Sequence, residues 1–292
     1  MTEPRLTIGL PVYNSEKFLA ASLESLLAQT YGDFRLLISD NASTDGTADI
    51  CAEYARRDSR IDYHRNAENI GMSPNFNLVA EQCETPLFKW STADDFWAPT
   101  MIEKTMAVIE ADESIALCYP KTVLINEVEG TELQYDDNLH LMHEDPAERF
   151  LAVIANIGLC NVHLGISRTA ALRKTSMLRS FPGADTNLIA ELAIYGKFFE
   201  VPEHLFFRRF HEDSSSWARK DEDHQKRRFH SAKTQNRKST RWRAHREYFK
   251  AVHHSPLSWR IKNQLYRFLA RRMIWDRGQL VGELRNKLLP QR

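Results

Sequence analysis

The chain has 292 residues, 42% hydrophobic and 27% charged, with a formal net charge of zero. This is the composition of a globular protein with one large domain, or one domain plus an extension, and it excludes collagen-like or wholly disordered structure. No apolar run approaches the roughly 20 residues that a membrane-spanning helix needs. The zero net charge hides an asymmetry: residues 1–204 carry 16 Lys+Arg and 31 Asp+Glu, whereas residues 205–292 carry 23 and 8. The C-terminal third is therefore expected to have a job or a partner of its own.

Residues 1–14 (MTEPRLTIGLPVYN) put an acid and a proline where a signal peptide keeps its apolar region, so no secretory leader is expected. Cys51, Cys83, Cys118 and Cys160 lie more than thirty residues apart without a CxxC pair. They read as reduced thiols of a cytoplasmic protein, with neither a disulfide framework nor a zinc site indicated.

Taken in chain order, residues 6–12 form a short apolar run that reads as a buried strand. Ser15 is then a predicted N-cap, and Phe18, Leu19, Leu23, Leu26 and Leu27 recur at helical spacing to about residue 29. Strands are predicted at 34–39, 61–64, 87–90 and 115–119. Helices are predicted at 47–57, 74–83 and 99–111, the last opened by a proline in its first turn. This alternation predicts a mostly parallel sheet with helices on both faces, whose ligands bind beyond the carboxyl ends of the strands. The polar clusters PVYN, DNASTDGT and STADD all fall at such ends. Further on, a hairpin is expected from 122–126 and 133–135, and helices near 146–155 and 186–195. Basic helices are expected over 221–250 and 257–289, with a break at 253–256.

The polar clusters carry the chemistry. Asp94 and Asp95 repel one another unless a cation lies beside them, and carboxylate oxygens suit Mg²⁺ or Mn²⁺; a solvated acidic turn is the alternative. Asp40, directly after a strand, can accept hydrogen bonds from a base or ribose, or serve an Asx-turn in which Asp45 and Gly46 make the bend. Tyr13 can stack on a nucleobase or be a partly buried core aromatic.

Together these segments resemble the N-terminal half of the inverting glycosyltransferases of the large second family, with the GT-A fold. The resemblance rests on residues 7–47 (TIGLPVYNSEKFLAASLESLLAQTYGDFRLLISDNASTDGT), NIGMSPNFN at 69–77 and ADDFWAP at 93–99. It implies a GT-A domain over 1–216, with a nucleotide half (1–120) and an acceptor half (121–216), followed by a basic helical extension over 217–292. It implies that Pro11, Tyr13, Asp40 and Asn69 hold the nucleotide and that Asp94 is the main metal ligand. Thr92 stands where the family usually has the first aspartate of its metal motif.

In GADTNLIAELAIYG (183–196) the resemblance implies Asp185 as catalytic base, with Ala184 in place of a glutamate and Glu191 in place of an arginine; a helix cap is the alternative. In FRRFHEDSSS (207–216) it implies His211 as a ligand of metal or diphosphate, with Arg208 and Arg209 offsetting phosphate charge. The implied activity is metal-dependent (Mn²⁺ or Mg²⁺) inverting transfer in cell-surface polysaccharide or lipopolysaccharide assembly. The donor is a nucleotide-diphosphate sugar, UDP favoured over GDP or dTDP, and the acceptor is a glycan or a lipid-linked hydroxyl. Two rivals are a same-fold nucleotidyltransferase, whose glycine-rich loop PVYNSEKF lacks, and a non-catalytic scaffold with an inactive GT-A domain.

The basic extension interleaves Lys and Arg with aromatic residues. It admits packing on the acidic domain or on a second subunit, as in a homo-oligomer. It also admits contact with an anionic membrane surface, which would make the protein peripheral on the inner face of the cell membrane. Nucleic acid is not expected, because the acidic N-terminal region would repel phosphate.

Overall fold

The computed structural model describes residues 4–211 and 240–288. The first half alternates as its periodicity predicts: β1 (Leu6–Val12), α1 (Glu16–Leu27), β2 (Phe34–Asp40), α2 (Thr47–Arg57), β3 (Ile61–Arg65), α3 (Met72–Glu81) and β4 (Leu87–Trp90). Then come β5 (Phe96–Trp97), α4 (Met101–Ala111), β6 (Ile115–Asn126), β7 (Thr131–Tyr135), α5 (Pro146–Asn156), β8 (Ile166–Arg168), α6 (Thr169–Leu172), α7 (Ala184–Tyr195) and β9 (Lys197–Phe210). The basic region supplies α8 (Thr240–His254), α9 (Trp259–Trp275) and α10 (Arg277–Leu288).

The nine strands form one sheet in the order β3-β2-β1-β4-β8-β6-β9-β5, with β7 pairing off β6. β3, β2, β1 and β4 run parallel, with Leu6 opposite both Phe34 and Leu87. Every residue of β1 is buried, as expected of a strand covered on both faces. Beyond β4 the sheet is mixed: β8 is antiparallel to β4 and β6, β6 is parallel to β9, and β5 is antiparallel to β9. The expectation of a mostly parallel sheet is thus corrected to a mixed one, with four pairings of each kind. Beyond the expected β6–β7 hairpin, the antiparallel pairings come from β5, two residues against β9, and from β8, three residues between a 3₁₀ turn and a short helix, which enters between β4 and β6 against their direction. So short a segment has no readable period.

Other differences are local. Ser15 stands at the N-cap position of α1, but its hydroxyl donates to the Tyr13 carbonyl instead of accepting from the helix. Pro99 precedes α4 rather than opening it; its carbonyl accepts from the Thr30 amide at 2.8 Å. The strand expected at 115–119 and the first hairpin strand are one, β6; register shifts at Pro120 and Lys121 carry the ladder past a residue with no N–H to give. Of the helix expected over 221–250, residues 221–239 lie outside the described residues. The helix expected over 257–289 is interrupted at Asp276, whose carboxylate meets His245 Nε2 of α8 at 3.0 Å.

Two apolar cores follow this division. One lies around the parallel strands and includes Leu6, Ile8, Leu10, Leu23, Leu36, Val79, Phe88 and Ile102. The other joins β6 and β9 to α5 and α7 and takes in Tyr248 and Val252 of α8 and Leu265 and Leu269 of α9. The C-terminal helices therefore pack on the second core through apolar side chains. The four cysteines are buried free thiols.

Candidate active site

The carboxyl ends of the parallel strands open onto a cleft of about 410 Å³. Its first wall is the turn after β1. Asn14 takes a left-handed backbone (φ 47°) that asparagine tolerates, and its Oδ1 accepts from the Thr44 amide at 2.8 Å. Glu16 Oε2 accepts from the Gly46 amide at 2.6 Å, and Asp45 accepts from the Thr47 and Glu16 amides. The turns after β1 and β2 are thereby tied together, and they leave Tyr13 47% exposed over the cleft beside Pro11.

Asp40 does not line this cleft. It is fully buried, accepting from the Ser43 amide at 2.9 Å and the Tyr63 hydroxyl at 3.1 Å, with Arg65 Nε at 3.4 Å. Asn41, which the sequence reading passed over, lines the cleft instead. It donates to Asn69 Oδ1 at 2.9 Å and accepts from the Ile70 amide at 2.9 Å. Asn69 in turn accepts from the Gly71 amide at 2.8 Å. Asn75, held by Ser39 and Asn66, continues this amide network. The asparagine density of 66–77 was the available signal.

The loop after β4 separates its two carboxylates. Asp95 is 4% exposed; its oxygens accept from the Thr92 hydroxyl at 2.6 Å and the Arg209 amide at 2.9 Å. Burial, and next the charge of Asp94, push its carboxyl up to about 7. Beneath it Lys89 is wholly buried and pushed down to about 7 by that burial; its Nζ donates to the Trp90 carbonyl at 2.9 Å. Asp94 faces the cleft, and its Oδ2 lies 3.4 Å from His211 Nε2. His211 Nδ1 is buried and has no hydrogen-bond partner among the described residues, and the ring tilts against Phe18 at 4.6 Å. Arg209 lies over Phe18 and Phe96 and pairs with Glu127 at 3.2 Å.

Of the three residues expected to hold a metal, Asp94 and His211 thus come together, and Asp95 turns inward with both oxygens occupied. A carboxylate oxygen and an imidazole nitrogen facing one cleft are a donor pair that could hold a divalent cation.

The opposite wall comes from the second half. Gly183, in the left-handed region (φ 82°), stands at the N-cap of α7 and sets Asp185 in its first turn. Asp185 is therefore not the cap itself; it lines the cleft, with Oδ1 accepting from the Thr186 amide at 2.9 Å. Ligand atoms of Cys160, His163 and Asp185 lie within 4.8 Å of one another, a group that could hold a metal ion. Burial lowers the His163 imidazole and raises the Cys160 thiol, so the pair is neutral unless a cation draws off the thiol proton. His163 Nδ1 is 2.6 Å from the Cys160 carbonyl, which fixes the proton on Nδ1 and leaves Nε2 bare. Sequence reasoning missed both residues, since no metal-ligand spacing links 160 and 163 to 185.

Behind them Arg208 donates to the Leu159 carbonyl and Asn161 Oδ1. Asp137, pushed up to about 6 chiefly by burial, accepts from the amide and side chain of Asn161. Glu191 is buried and accepts from the Ser176 amide at 2.8 Å, so it props a loop.

Residues 7–176 match the family described as Glycosyl transferase family 2. Putative glycosyltransferase EpsE of Bacillus subtilis is 33% identical over 108 residues, which are 37% of this chain and 39% of EpsE. An uncharacterized glycosyltransferase of Haemophilus influenzae is 25% identical over 222 residues, 73% of this chain and 68% of its own length. The chain thus covers well under two thirds of EpsE, and 18% of the glycosyltransferase GlyA of Streptococcus pneumoniae, 29% identical over 133 residues. Among solved structures, S. aureus TarS 1-349 in complex with UDP-GlcNAc superposes with a TM-score of 0.64 at 17% identity, covering 98% of this chain and 76% of that one. The mannosyltransferase PcManGT of Pyrobaculum calidifontis, in complex with GDP-Man and Mn²⁺, gives 0.55 at 13% identity, covering 100% and 89%. At these identities the superpositions establish a shared fold.

Proposed function

The chain belongs to glycosyl transferase family 2, and on that premise we propose that it is an inverting, metal-dependent glycosyltransferase of cell-surface polysaccharide assembly. It moves a sugar from a nucleotide-diphosphate donor to a hydroxyl of a glycan or lipid-linked acceptor at the cytoplasmic face of the membrane. The observation that carries this reading is the two-sided cleft, with Asp94 and His211 on one wall and Asp185 on the other.

In this reading the base stacks on Tyr13 beside Pro11, and the Asn41–Asn69 network shapes its pocket. Asp40 serves that pocket from behind, by fixing the turn at Ser43. Asp185 accepts the proton of the acceptor hydroxyl as that oxygen attacks the anomeric carbon from the face opposite the diphosphate. The C–O bond to the diphosphate breaks in the same displacement, and the configuration inverts. Arg208 and Arg209, at the same cleft, offset charge growing on the departing oxygen. A Mn²⁺ or Mg²⁺ ion held by Asp94 and His211 would supply Lewis-acid charge to the diphosphate. UDP is the favoured donor base, because TarS was solved with UDP-GlcNAc; GDP follows from PcManGT, and dTDP completes the set to be tried.

Calorimetric titration with UDP, GDP and dTDP, with and without Mn²⁺, tests this. Metal-dependent binding of one nucleotide is expected. Absence of binding by all three, in either condition, overturns the reading in favour of a non-catalytic scaffold.

A further inference from the structure

Helix α9 is two-sided. Leu265 and Leu269 are fully buried on one side. On the opposite side Arg260, Gln264, Arg267 and Arg271 recur at spacings of four, three and four, which stacks them on one face. With Leu151 of α5 they border a groove of about 590 Å³. Among the described residues no acidic side chain pairs with Arg260, Arg267 or Arg271, and no carbonyl accepts from them. Like charges one turn apart repel, so an unpaired row of guanidiniums calls for an external anion. Toward the end of the same face stand Ile274, 59% exposed, and Trp275, 83% exposed.

The packing of these helices does not use Arg260, Arg267 or Arg271. The contact of α8 and α9 with the domain is mainly apolar; Arg243 and Arg272 donate to the Ser180 and Ile154 carbonyls, and the ion pair reaching α8 has its cation on the domain side, Arg179 to Glu247 at 3.9 Å. Nor does the neighbouring stretch of chain suit the groove, since residues 212–239 are themselves net basic. A row of cations ending in an exposed aliphatic and an exposed indole has the chemistry of the lipid interface, where phosphate meets acyl chain.

We propose that the outer face of α9 lies on an anionic phospholipid surface. Arg260, Arg267 and Arg271 meet the lipid phosphates, and Ile274 and Trp275 enter the boundary with the acyl chains. This deepens the reading above by assigning residues to the membrane contact, but it stands on the helix alone.

The test is sedimentation of the full chain with vesicles, without sugar nucleotide, so that failure here is distinguishable from failure of donor binding. Vesicles of phosphatidylcholine with about one third phosphatidylglycerol should bind the chain, and pure phosphatidylcholine should not. Each cation near an anionic surface is worth roughly fivefold in partitioning, so R260Q/R267Q/R271Q together should lower it on the order of 100-fold. W275A should lower it less, and its loss should persist in high salt, which screens only the charge component. Unchanged circular dichroism and an unchanged nucleotide titration show that each variant is folded. Equal binding to both vesicle types, or full binding by the triple variant, overturns the proposal. So does concentration-dependent dimerisation without vesicle binding, which would make the occupant a second copy of the chain.

Discussion

The two walls of the cleft are built by different means. Around β1, β2 and β4 each cleft-lining turn follows its own strand, so parallel topology alone delivers Tyr13, Asn41 and Asp94 to one edge. The rest of the cleft is assembled from distant segments. His211 reaches Asp94 on that same wall across 117 positions of sequence, the Arg209 amide reaches Asp95 across 114, and on the opposite wall Cys160 and His163, from a 3₁₀ turn and its N-cap, meet Asp185. The strand-end turns are thus a consequence of strand order, whereas the rest of the cleft depends on how a mixed sheet closes.

That contrast can be broken at Asp185. Removing a general base costs about 10²–10⁴-fold, so Asp185→Asn should lower transfer roughly 1000-fold. Nucleotide affinity in the same titration should change little, because the donor wall is untouched. Full activity in the variant would remove Asp185 from the reaction. The converse change is Asp94→Ala. Losing even the group behind a metal ligand costs about 10–100-fold, so losing the ligand should cost at least about 100-fold in Mn²⁺-dependent nucleotide affinity. Metal-dependent binding that survives would direct attention to Cys160, His163 and Asp185.

The comparison extends to packing. A Cβ on Gly9, in the middle of β1, would lie 2.6 Å from Val79 Cγ2 and 2.8 Å from Phe88 Cζ. Gly9→Ala should destabilise by about 1–3 kcal/mol in urea denaturation, the usual cost of overpacking a strand buried on both faces. A pH series separates the halves further. Burial pushes the carboxyl of Asp137, which lies behind Asn161, up to about 6 in the folded chain against about 4 unfolded, so the native state holds the extra proton between those values. Its contribution therefore falls as pH rises through 4 to 6, by on the order of 2 kcal/mol. Denaturation of wild type against Asp137→Asn across that window should show the wild type losing ground as pH rises, then a constant difference. The smallest effect belongs to the C-terminal helices. Gly282 in α10 has open space around its would-be Cβ, so Gly282→Ala should stabilise by roughly 0.5–1 kcal/mol.

Periodicity placed α2 and β4 at their observed bounds, because an amphipathic helix and a strand buried on both faces each leave a complete pattern in the chain. It did not reveal β8, since three residues carry no period. The same limit applies in the site. Asp94 and Tyr13 were legible as residues of polar clusters at strand ends, whereas Asp185 was singled out through the family resemblance alone. The direction of Asp40 was not: it and Asn41 are neighbours at one strand end, and only the turn decided which side chain faces inward to Tyr63 and which faces the cleft.

Contiguous residues alone dictated the alternation of strand and helix, the parallel run of the first four strands and the segregation of acid from base. It took folding to turn Asp95 inward and Asp94 outward, to join Cys160 and His163 to Asp185, and to leave three arginines of α9 without a counter-charge among the described residues. Those outcomes depend on burial and on partners distant in sequence, and a carboxylate, thiol or guanidinium acquires its role from the dielectric and the neighbours that folding gives it.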